Sequence, residues 1–173
     1  MVDEIKGEIC PFCNKKTLTL REEEVDVPHF GKTFVFSMEC SECHFNKSDI
    51  EAAERKDPVK ITFTIEKEED LKIRVVKSSE AAVKIPGLKM DVRPGPASIG
   101  YISNIEGLLD KFQGIIESER DNADEEEIRK KAKNLLKKLR KVKWGEMPLK
   151  IIIEDPSGNS AIISERTEIK KLK

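Results

Sequence analysis

The sequence predicts a mainly β fold with one inserted α-helical hairpin, preceded by a small cysteine-bearing module. Three observations carry this. Short runs alternate apolar and polar residues, as in Val59, Ile61, Phe63 and Ile65 against Lys60, Thr62, Thr64 and Glu66, the period of a half-buried strand. Past the middle of the chain the period lengthens to that of amphipathic helices. Near the start, two C-x2-C pairs bracket the first strands.

The chain has 173 residues, enough for one ordinary domain and a small module. Lys and Arg number 32 and Asp and Glu 33, so a net charge of −1 excludes a globally basic nucleic-acid coat and a long acidic tail. An apolar fraction of 38%, spread in periodic runs, is sufficient for a core and argues against disorder. No apolar run reaches the roughly 18–20 residues of a membrane span, and MVDEIKGEI lacks the apolar region of a signal peptide. A cytoplasmic location with reduced thiols is therefore expected, with no membrane partner.

Cys10 and Cys13 lie in CPFC and Cys40 and Cys43 in CSEC, with 26 residues between the two motifs. Each short spacing places two thiolates on one tight turn, and two such knuckles supply a closed tetrahedral set of four sulfurs. That set suits one structural Zn²⁺, whose binding energy of about 10–16 kcal/mol can fold a module too small for its own core. A redox pair would explain only one motif, and disulfides conflict with a reducing compartment. Iron shares the ligand preference but is the weaker reading. Between the knuckles, TLTLREEEVDV and TFVFSM read as strands, with Phe34, Phe36 and Met38 alternating against Thr33, Val35 and Ser37. Pro28 and Gly31 break the chain between them. The module reads as a zinc ribbon, and His29 and His44 read as loop and knuckle residues, not ligands.

Residues 1–50 are assigned to the ribbon, 51–57 to a polar linker, and 58–173 to a β-rich domain with its helical hairpin at about 104–143. LKIRVV reads as a strand, VKIPGLKMDV as two short ones, and RPGPASIG as a loop. Ile105, Leu108, Leu109, Phe112, Ile115 and Ile116 form the stripe of a first helix, capped by Ser103 or Asn104. Ile128, Ala132, Leu135, Leu136, Leu139 and Val142 form that of a second. The second helix opens with Asp124 to Glu127 and closes with Lys137, Lys138, Arg140, Lys141 and Lys143, an order that complements the helix dipole. Trp144 is expected to cover the end of the hairpin. LKIII, DPSGNS and AIIS read as a closing β-hairpin. Short, non-local strands favour a sandwich, barrel or double-stranded β-helix (jelly-roll-like) domain over a parallel sheet.

No phosphate-binding loop, dinucleotide fingerprint, HExxH or GxSxG is present. Two histidines leave few general acid–base candidates, so no catalytic residue, enzymatic activity or small-molecule substrate is expected. A cupin-like pocket enzyme is disfavoured because ligand histidines are missing.

Four segments in order resemble the ZPR-one zinc-finger family: CPFC…DVPHFGKTFVFSMECSEC, EEDLKIRVVKSSEAAVKIP, GYISNIEGLLDKF and IIIEDPSGNSAI. Together they span almost the whole chain. The resemblance implies a zinc ribbon joined to a β-helix-like domain with a helical hairpin. It also implies a protein partner, translation elongation factor 1-alpha, which eukaryotic members bind and help to fold. Those members carry two modules and are linked to growth-factor receptor signalling; this chain has one module, as in archaeal forms. Asn14 and His44 stand where the family has glycine after each CxxC, and Glu154 where its hairpin motif begins with Asp. Both Asn and His tolerate positive φ, so the knuckles can survive. Phe30 and the turn residues Asp155, Gly158, Asn159 and Ser160 are the candidate partner contacts. The alternative reading is a nucleic-acid-binding ribbon drawing on the basic helix and Trp144, which near-zero net charge disfavours.

Overall fold

The computed structural model describes residues 2–27 and 31–172. Pro28, His29 and the candidate contact Phe30 lie outside the described residues. The N-terminal module is a four-stranded antiparallel meander of β1 (Val2–Glu8), β2 (Leu18–Val27), β3 (Gly31–Cys40) and β4 (Asn46–Ala52). β2 and β3 pair from Leu18↔Cys40 to Val27↔Gly31, which carries the second knuckle back beside the first. Two of these strands were not anticipated. Every residue of β1 is exposed, and a register shift at Gly7 (φ 81°) interrupts its pairing. β4 extends two residues into the expected linker, and its polar sequence NKSDIEA gave no alternation to read. On β3 the expected contrast between faces is weak: Phe34, Phe36 and Met38 are half-buried, as are Val35 and Ser37. Thr33 is fully buried, as is Cys40 at the strand's end, and the Thr33 hydroxyl donates to the Gly31 carbonyl at 3.0 Å.

The second domain is a pair of antiparallel sheets. One orders β12 (Glu168–Lys171), β5 (Val59–Ile65), β10 (Leu149–Asp155), β7 (Ala82–Ile85) and β8 (Met90–Val92). The other orders β11 (Ala161–Ile162), β6 (Arg74–Lys77) and β9 (Tyr101–Asn104). Alternation fixes which face is buried: Ile61, Phe63 and Ile65 of β5 and Leu149, Ile151 and Ile153 of β10 enter one core with Val75, Val83 and Ile85. β12 was invisible to pattern reading because all four of its residues are exposed.

Two helices, α1 (Ile105–Asn122) and α2 (Glu126–Lys143), complete the core. Asn104 caps α1, its side-chain oxygen accepting from the Gly107 amide at 2.8 Å. Ile105, Leu108, Leu109, Phe112 and Ile116 are buried, but Ile115 is 45% exposed because it sits at the stripe's margin. On α2, Ala132, Leu139 and Val142 are buried and Leu135 and Leu136 pack beside them. Trp144 does not cover the hairpin: it is 61% exposed.

The expected hairpin of β10 and β11 does not form. β10 pairs with β5 and β7, whereas β11 pairs with β6 in the other sheet. DPSGNS therefore carries the chain from one sheet to the other, and the reason lies in what its side chains bind.

Candidate metal centre

The two knuckles are built alike. The Asn14 amide donates to the Cys10 carbonyl at 2.9 Å and the His44 amide to the Cys40 carbonyl at 3.0 Å. Asn14 and His44 both adopt φ 57°, so each takes the left-handed conformation that closes the turn. All four sulfurs lie within 4.8 Å of one another, and Cys10–Cys43 and Cys13–Cys40 are each separated by 3.7 Å. A tetrahedral zinc with Zn–S of about 2.3 Å requires sulfur separations of about 3.8 Å. The donor set fits one structural Zn²⁺, with Cys10 and Cys40 buried and Cys13 and Cys43 toward the surface.

Surrounding donors favour the thiolate at Cys40. Thr17 Oγ1 lies 3.2 Å from Cys40 Sγ, and this hydroxyl, with the Cys43 and Glu42 amides, lowers the Cys40 thiol to about 6. The Phe12 amide lies 3.4 Å from Cys10 Sγ. Cys43 moves the other way, to about 12: the Phe45 amide favours its thiolate, but desolvation and the three neighbouring sulfurs outweigh it. Four thiolates this close repel one another, and the divalent cation supplies the missing charge. Thr17 was not legible as a functional residue, since nothing marks a lone strand threonine.

An aromatic pair crowns the centre. Phe12, 78% exposed, stacks on Phe45 with centroids 5.7 Å apart and planes at 20°. Its position inside CPFC was the available signal.

The turn residues lie elsewhere and face inward. Asp155 is fully buried; its Oδ1 accepts from the Ser157 amide (2.8 Å) and hydroxyl (2.7 Å), and its Oδ2 from the Ser160 hydroxyl (2.6 Å). Burial raises the carboxyl's pKa, but the Ser160 and Ser157 donors outweigh it and hold the group below the usual range. Ser160 Oγ in turn accepts from the Ser78 amide at 3.0 Å. The turn then grips the linker: Asn159 Nδ2 donates to the Glu54 carbonyl (2.8 Å), and the Ser157 carbonyl accepts from the Lys56 amide (2.8 Å). Gly158 has φ 71°, and a Cβ there would lie 2.3 Å from the Asp57 carbonyl oxygen. Asp155 and Ser160 thus brace a turn whose Ser157 and Asn159 clasp the linker, and the side chains of Asp155, Asn159 and Ser160 are all buried. Asp49 forms a second tether, accepting at one oxygen from the Ile50 and Gly100 amides, both at 2.8 Å. Nearby, buried Lys77 donates to the Ser78 carbonyl at 2.9 Å and lies 5.7 Å from the Tyr101 ring centroid.

Fold and site define a class: a zinc-ribbon protein whose second domain is a jelly roll, with all four metal positions filled by cysteine. The ZPR1 zinc-finger domain profile matches residues 4–58 and the ZPR1 jelly-roll domain profile residues 69–172. A ZPR1-like protein of Methanocaldococcus jannaschii is 39% identical over 160 residues, covering 92% of this chain and 81% of its own length. One from Pyrococcus horikoshii is 35% identical over 175 residues, covering 99% and 78%. The zinc finger chaperone zpr1 of Schizosaccharomyces pombe is 31% identical over 165 residues, covering 93% of this chain and 35% of the yeast protein. The chain belongs to the ZPR1 family.

Proposed function

We propose that this protein is a non-enzymatic, zinc-dependent interaction module that binds translation elongation factor 1-alpha and assists its folding. The observation that carries the reading is the aromatic pair on the knuckles. A largely exposed phenylalanine is held on a turn that the metal makes rigid, and rigid apolar anchors concentrate interface energy. The fission-yeast relative, described as a chaperone, supports a client-binding role. The partner itself follows from the family resemblance.

The experiment is co-elution of the zinc-loaded chain with its own organism's elongation factor 1-alpha during refolding, in the absence of RNA. A stable complex is expected, weakened roughly thirtyfold by Phe12→Ala, the loss typical of an anchor worth about 2 kcal/mol. A complex indifferent to Phe12 would place the contact elsewhere. No complex would remove the elongation factor as partner.

A further inference from the structure

We infer that the solvent face of α2, with Trp144 at its end, is a binding surface for single-stranded RNA, independent of the zinc knuckles. α2 carries nine cationic residues against two glutamates, although the chain as a whole has a net charge of −1. The cations are not spread evenly around the helix. Lys130, Lys133, Lys137, Arg140 and Lys141 follow one another at i, i+3, i+7, i+10 and i+11, so they share one face opposite the buried Ala132 and Leu139. All five are exposed. The ion pairs of α2 use the flanks instead, Lys131 with Glu127 and Lys143 with Asp110. Among the described residues, the five cations of the stripe have no carboxylate partner.

Dipole compensation accounts for cations in the last turn only, since the effect fades within one turn. Lys130, Lys133 and Lys137 lie further back and need another reason. Trp144 continues the same face at i+14. Its backbone is fixed, the amide donating to the Arg140 carbonyl at 3.1 Å, and Gly145 at φ 69° ends the helix behind it. The indole is nevertheless left largely in solvent.

A row of unpaired cations about 20 Å long, ending in an exposed aromatic, matches a strand of phosphates with an unstacked base at one end. A bilayer fits less well, because the apolar side of α2 is already spent on the core and cannot insert. An acidic protein would satisfy the cations but gives no reason for an in-line indole.

Trp144 is the chain's one tryptophan, so its fluorescence reports on this site alone. The test titrates the zinc-loaded chain with a dodecamer of uridylate at several salt concentrations, with polyglutamate and anionic phosphatidylglycerol vesicles as competing probes. Binding should quench Trp144 and weaken with salt at a log–log slope of about −3.5, from five phosphates at roughly 0.7 each. The triple variant Lys133→Gln, Lys137→Gln, Arg140→Gln should lose at least tenfold in affinity and bring the slope to about −1.4. The flank variant Lys131→Gln, Lys138→Gln should stay within twofold, and circular dichroism should show both folded. Equal losses in the two variants, or binding without a Trp144 response, would overturn the assignment. Tighter binding of polyglutamate or of vesicles than of RNA would transfer the face to an acidic protein or a membrane. Neither outcome touches the co-elution result, which is measured without RNA and depends on Phe12.

Discussion

A carboxylate held away from water keeps its charge only if donors are aimed at both oxygens, and at Asp155 three do so. Removing the acceptor leaves Ser157 and Ser160 donors buried and unpaired. Asp155→Ala should therefore destabilise the fold by about 1–3 kcal/mol, read as a lowered urea midpoint. The same residue sets a pH dependence. Its folded pKa lies below the ordinary carboxylate value of about 3.9, so its contribution is complete above that value and is lost as pH falls through the lower folded one. The gap between the parent and Asp155→Ala midpoints should stay constant from pH 7 to about 5 and shrink toward pH 2. An unchanged gap at pH 2 would mean that packing, not charge, makes the clasp. From sequence, DPSGNS looked like ordinary hairpin chemistry. The same residue types satisfy a turn or a buried clasp, and long-range bonds such as that of Asn159 to Glu54, 105 residues away in sequence, distinguish them.

Elements were legible to the extent that they bury a periodic face. α1 and α2 announced themselves through stripes that enter the core, and β5 and β10 through strict alternation. β1 and β12 are exposed throughout and exist by backbone pairing with β2 and β5, which leaves no side-chain pattern to detect. β4 lacked a readable pattern for a related reason: its sequence is mostly polar, and its Asp49 serves as a tether instead of entering a core. Helix ends were better marked. Asn104 offers the oxygen that α1 needs, and Asn104→Ala should cost about 0.5–2 kcal/mol, measured as a drop in thermal midpoint with the helical signal otherwise retained. The four ligands were legible completely, because coordination constrains cysteine spacing more tightly than packing constrains any core residue.

Among the described residues the molecule has two main cores of unequal independence, with a small third cluster in which Val76 and Ala161 meet Val25 and Ala52 of the ribbon. The jelly-roll cluster includes residues from both helices and from strands of both sheets, whereas the ribbon's buried set is Cys10, Leu18 and Cys40 with a few half-buried neighbours. A core of that size relies on its metal. Chelation of zinc should release hydrogen-exchange protection across β2, β3 and β4 while β5 and β10 keep theirs, followed strand by strand by mass spectrometry. Simultaneous loss across both domains would show that the clasp and the Asp49 tether couple them into one cooperative unit.

The clasp also bears on the order in which a ribosome delivers the chain. The ribbon has all its strands and ligands by Ala52, yet the segment that orients it is bonded by Ser157 and Asn159, and β5 waits for β10 and β12 to flank it. Roughly a hundred residues separate these partners, a delay of about 5–20 s at usual elongation rates. For that interval a nascent ribbon can load zinc and fold while still free to swivel, and it acquires its fixed bearing on the second domain only when the last strands emerge.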